Sequence, residues 1–197
     1  MPPRATVVAA IVLSMVAGSK LHSQTKDSTR GPPAAFMVSG PDVGRRAPNF
    51  RLPWANKDRV GSADQPYELS LDLGKTVVLA FYPRDFTSST TTEMRTFAEQ
   101  YDSLFGPDVV LVGIGTDSLA THQRFAASLN LPFRLLTDSG QQVARRYATS
   151  DRSGYARRTV YVVGPDGRVR YRNMRFNPLD QKHFAELGAA VRRTRGG

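Results

Sequence analysis

The sequence predicts an α/β fold, a mixed central sheet flanked by helices, on three observations. Val77 to Tyr82 and Asp108 to Ile114 are short, nearly continuous apolar runs rich in β-branched and aromatic residues, the pattern of strands covered on both faces. Met94, Phe97, Ala98, Tyr101 and Leu104 recur at helical spacing between those runs. Near the end, Arg158 to Val169 reads as a strand, a Pro-Asp-Gly turn and a second strand, which adds an antiparallel hairpin. Strands alternating with helices and closing on a hairpin imply an α/β sandwich.

In chain order, Met1 to Ser23 reads as a secretory signal peptide. Arg4 supplies its positive start, and Ala5 to Gly18 an apolar stretch too short to span a bilayer comfortably. The expected location is the periplasm or outside the cell, with retention by an uncleaved N-terminal anchor as the alternative. No stable membrane span is expected once the leader is removed. Residues 24–42, with their Ser, Thr, Lys and Asp and the pair Pro32-Pro33, have the composition of a flexible linker. The folded domain is expected over 43–197. Val43 to Pro53 leads into the first strand, Trp54 to Gly74 is a hairpin or loop, and Tyr67 to Leu73 alternates like a half-buried strand or turn.

Val77 to Tyr82 ends at Pro83, and the hydroxyl-rich tract Thr87 to Thr92 opens a helix. Glu93 stands three residues after Thr90, as in a capping box. The strand Asp108 to Ile114 ends at Gly115-Thr116-Asp117. Gly113-Ile114-Gly115 lacks the third glycine of a dinucleotide fingerprint and reads as a turn. A helix follows over Leu119 to Leu129, then a short strand at Pro132 to Leu136, a helix at Gln141 to Tyr147 and a polar loop to Tyr155. In the last strand Arg168, Arg170 and Arg172 alternate with Val169 and Tyr171, giving a basic face that would ordinarily meet water. A closing helix spans Leu179 to Val191, and Arg192 to Gly197 reads as a frayed basic tail.

Twenty-seven basic and 17 acidic residues give a net charge of +10, yet no nucleic-acid-binding motif accompanies it, and no nucleic-acid partner is expected. The chain has no cysteine, which excludes disulfides, thiolate zinc sites and iron–sulfur chemistry. His22, His122 and His183 share no metal-ligand spacing and read as solvated positions, so neither a metal nor a cofactor is expected.

Pro83, three residues, Thr87, two residues and then Thr90 resembles the signature of the peroxiredoxins, in the alkyl hydroperoxide reductase and bacterioferritin-comigratory branch, with Thr90 at the peroxidatic cysteine. Gly44-Arg45-Arg46-Ala47-Pro48-Asn49-Phe50 resembles that family's opening motif, with Asn49 for the usual aspartate. The resemblance runs from about Val43 to Arg193 and implies a thioredoxin-like fold in its peroxiredoxin elaboration. It also implies that Arg158 is the arginine that stabilises the thiolate, with Arg157 one register away. A resolving cysteine five residues along the helix would fall on Arg95. A homo-oligomer, a dimer in its simplest form, is implied as well.

The chemistry departs from the family. Cysteine serves as nucleophile because its thiolate is accessible near neutral pH, and because sulfur cycles through a sulfenic acid. A threonine hydroxyl has no such anion without an adjacent general base, and none is visible near Thr90. The expected function is therefore that of an exported, cysteine-less redoxin-domain protein with a binding or structural role. The alternative is an antioxidant oxidoreductase acting on hydroperoxides, through a non-thiol group or in an assembly with a cysteine-bearing partner. Thr90, Thr87, Pro83 and Arg158 are the candidate catalytic positions. Thr87, Thr90 and Arg158 are the candidate anion site, for a small anion or a ligand's carboxylate. A helix cap with a buried hydrogen bond from Arg158 would need the same residues.

Overall fold

β4 (Thr76–Phe81) is buried along its whole length, because its alternate side chains enter two different cores. Val78 and Ala80, with Tyr82 just beyond, face one of them. Val77, Leu79 and Phe81 face the other. The structure, a computed structural model, describes residues 39–196, so the expected leader and most of the expected linker lie outside the described residues.

The strands before β4 are short: β1 (Arg51–Leu52), β2 (Trp54–Ala55) and β3 (Tyr67–Glu68). After it come β5 (Val109–Gly115), β6 (Arg134–Thr137), β7 (Thr159–Val163) and β8 (Val169–Asn173). Six strands form one mixed sheet in the order β2-β6-β5-β4-β7-β8, while β1 and β3 pair apart from it. β4 runs parallel to β5 and antiparallel to β7. The helices are α1 (Ser88–Glu99), α2 (Tyr101–Leu104), α3 (Leu119–Ser128), α4 (Gln142–Arg146) and α5 (Gln181–Arg195). Phe97, Leu104, Phe125, Phe184 and Leu187 carry α1, α2, α3 and α5 onto the face that Val78 and Ala80 present. α4 and the N-terminal segment cover the opposite face through Val143, Phe50 and Trp54. This is the predicted thioredoxin-like α/β architecture.

Several local expectations are corrected. Gly113 and Gly115 lie within β5 and make no turn. A β-carbon on Gly115 would come within 3.0 Å of the Tyr82 ring and 3.2 Å of His122, so the glycines make room for packed side chains. The basic tail is helical through Arg195, whose guanidinium donates to Phe105 O (3.2 Å) and reaches Asp108 (3.4 Å). The arginines of β8 are paired as well as wet. Arg170 meets Asp166 (2.9 Å), Arg168 donates to Gly44 O (2.8 Å), and Arg172 holds Ser39 O (2.8 Å) and Asp42 (2.6 Å). Residues at the end of the expected linker are thus tied to the last strand.

Candidate functional site

Two strand pairings build the site at the C-terminal end of β4. The antiparallel register sets Phe81 opposite Thr159, which delivers Arg158 beside the turn that follows β4. Parallel pairing with β5 brings Asp117 and the start of α3 to the same end, and Tyr82 N donates to Ile114 O (3.1 Å) as the last bond of that ladder. Pro83 has no N–H with which to continue it. The chain then turns through Phe86, a non-glycine residue at φ 57°, whose ring packs 4.9 Å from that of Phe125.

Thr87 is the N-cap of α1, and Thr91 N donates to its carbonyl (2.8 Å). The expected capping box is absent. Thr90 is the third residue inside the helix, and the Thr87 side chain makes no cap bond. The Thr87 hydroxyl instead donates to Thr90 Oγ1 (2.9 Å) and lies 3.2 Å from Arg84 O. Arg158 Nη2 donates to the same Thr90 Oγ1 from the other side (3.3 Å), and its Nη1 donates to Glu93 Oε2. Thr87, Thr90 and Arg158 are therefore brought together as expected, with Pro83 at the preceding turn. Arg157 points elsewhere, to Ala148 O. Arg95 is exposed on α1.

Glu93 was missed as a site residue. Its side chain is fully buried and Oε1 has no hydrogen-bond partner. Burial pushes its carboxyl up to about 7, against the pull of Arg158 toward the charged form. The sequence held a signal for this: Glu93 shares the inward face with Thr90, Met94 and Phe97 at spacings of three, four and seven.

A second buried cluster adjoins the first. Tyr82 Oη donates to Asp85 Oδ1 (2.9 Å), and His122 Nδ1 lies 2.7 Å from Asp85 Oδ2. A carboxylate only accepts, so Nδ1 donates to it, while Nε2 has no partner. Asp85 N donates in turn to Asp117 Oδ2 (2.9 Å). The Tyr82 phenol is pushed well above its ordinary range, first by burial and then by Asp85. His122 is thus not a solvated position. Its spacing to Phe125, Ala126 and Leu129 placed it on the inward face of α3 all along. His183 is only partly exposed and accepts from Asn177 N (2.8 Å), while His22 lies outside the described residues. Among the described residues no cluster of three or more His, Asp or Glu side chains could hold a metal ion.

The AhpC/TSA family pattern matches residues 43–172. The chain is 36% identical over 137 residues to the chloroplastic peroxiredoxin Q of Sedum lineare, covering 68% of this chain and 71% of that protein. It is 37% identical over 142 residues to the chloroplastic peroxiredoxin Q of Triticum aestivum, covering 71% of this chain but only 61% of the longer wheat protein. In fold it matches Peroxidoxin BcpB from Mycobacterium tuberculosis at a TM-score of 0.65 and 24% identity, over 78% of this chain and 97% of that one. The match to Enterococcus faecalis AhpC has a TM-score of 0.67 and 19% identity, over 78% and 92%. With its sheet inside the matched segment but for Asn173, and a threonine between Thr87 and Arg158 where that signature carries sulfur, this chain belongs to the AhpC/TSA family, the peroxiredoxins, as a member without cysteine.

Proposed function

We propose that this peroxiredoxin-family chain is an exported, catalytically degenerate member that holds a small anion, or the carboxylate of a ligand or partner, at Thr87, Thr90 and Arg158 without turning it over. One observation carries the reading: Thr90 Oγ1 stands where a guanidinium and a second hydroxyl both donate to it, at the start of a twelve-residue helix. Such a set of donors favours negative charge. What it lacks is an atom that ionises near neutral pH and shuttles electrons. Export rests on the charged start and apolar stretch of residues 1–23.

Peroxide consumption with dithiothreitol as reductant tests the catalytic half. The wild type stays at background and Thr90→Cys gains activity, because Arg158 and the helix start would favour its thiolate. Turnover by the natural chain would replace this reading with that of a hydroperoxide-directed oxidoreductase. Sulfate or acetate titration tests the binding half. Losing a charge-assisted hydrogen bond in Arg158→Ala weakens binding about tenfold to 100-fold. Thr90→Val removes a hydroxyl without touching the Arg158–Glu93 pair, and weakens binding less. Equal, negligible binding in all three proteins would remove the anion site.

A further inference from the structure

Arg158 brings one positive charge to the site, and the Glu93 carboxylate already answers it. An anion arriving beside Thr90 would meet a neutral pair, with a buried carboxylate on the same guanidinium. Two negative groups on one arginine in a poorly solvated place repel each other strongly. One of the three charges has to go. Arginine does not lose its proton in proteins, and a bound sulfate does not gain one near neutral pH. Glu93 is the member of the pair that can change.

Its surroundings point the same way. The side chain is 0% exposed and Oε1 has no donor, a costly condition for a charged carboxylate. Arg158 is 13% exposed and Thr87 is exposed, so a ligand reaches the guanidinium from solvent while Glu93 stays behind it. Resting on the anion-binding reading above, we propose that Glu93 is a proton gate for the site. An oxyanion or carboxylate replaces the Glu93 charge as counter-ion of Arg158, and Glu93 takes up one proton as it binds.

The groups facing Glu93 are few. Arg158 reaches it from the start of β7 and Tyr82 from the end of β4, with Thr90 one turn back on α1. Asp85 and Asp117 act on Tyr82 as well, and His122 Nδ1 lies 3.4 Å from its hydroxyl. The elevated carboxyl of Glu93, at about 7, places its change of charge in an accessible range.

Sulfate is the probe, since its charge is constant between about pH 5.5 and 8.5. With one linked proton, wild-type affinity is flat below about pH 7 and falls about tenfold per pH unit above it. Calorimetry at pH 8 in two buffers of different ionisation enthalpy reads close to one proton taken up per sulfate. Glu93→Gln binds sulfate with no pH dependence over this range, and about tenfold more tightly than wild type at pH 8. If the variant fails to fold, the wild-type proton count decides alone. Sulfate binding that depends on Arg158 but takes up no proton overturns the gate and leaves the anion site standing. A pH dependence that persists in Glu93→Gln overturns it too. No binding to either protein at any pH removes both.

Discussion

The two polar clusters at the end of β4 hang on the same short turn, from Tyr82 to Thr87, yet differ in how they are closed. Around Asp85 each carboxylate oxygen has a donor, Tyr82 on one and His122 on the other, and the side chains of Asp85 and His122 are 0% exposed. The one exception is His122 Nε2, which has no partner, on the ring whose Cε1 packs where Gly115 leaves space. Around Glu93 one carboxylate oxygen is unpartnered, the cation is partly in solvent, and Thr87 is an exposed residue. A fully satisfied buried network specifies geometry, and a partly satisfied one carries the cost of an unpaired buried group. The Asp85 cluster is thus a clamp on the turn, and the Glu93 cluster is the one on which the proposed anion site draws.

Breaking the clamp is the severest test of that contrast. His122→Ala leaves the Asp85 carboxylate buried with a single donor, and the expected loss in urea unfolding is about 3–5 kcal/mol. A loss below about 1 kcal/mol would mean that the cluster clamps nothing. The Glu93 cluster should show itself through pH. Glu93 binds its proton more tightly in the folded chain, at about 7, than at its ordinary value of 4.5. Its contribution to stability is therefore full below about pH 4.5 and is lost as pH rises through about 7, for a total of about 3 kcal/mol. Wild-type stability followed across that window falls relative to Glu93→Gln, and parallel curves would show Glu93 to be charged throughout. The smallest effect belongs to Thr87. Removing an N-cap side chain costs about 1 kcal/mol where it bonds the helix N–H groups. Thr87 makes no such bond, so Thr87→Ala should lower stability by less than that in thermal unfolding.

Much of the scaffold was legible in the sequence, because hydrophobic periodicity reports burial directly. The strand through Val77, the hairpin around Pro165-Asp166-Gly167 and the helix through Phe125 stand close to where their patterns placed them. Of the two candidate arginines, it is Arg158 whose guanidinium reaches Thr90, while Arg157 turns to Ala148 O. Local motifs read as self-contained fared worse. Thr90 and Glu93 match a capping box by spacing, but the helix begins earlier and Glu93 answers an arginine 65 residues away. Gly113 and Gly115 look like a turn until the Tyr82 ring is seen to need their space. His122 has no partner nearby in sequence, since Asp85 lies 37 residues before it.

What the sequence determined alone is the chemical inventory and its order. There is no sulfur to ionise, hydroxyls stand at the start of a helix, and strands and helices follow the peroxiredoxin succession. These are properties of composition and of short-range periodicity. Tertiary structure decided which charges meet. Antiparallel pairing at Phe81 and Thr159 put Arg158 between Thr90 and Glu93, and parallel pairing of β4 with β5 put His122 on Asp85. Local propensity carries no information about such encounters, because the partners of a buried charge are chosen by strand register and by the packing that holds it.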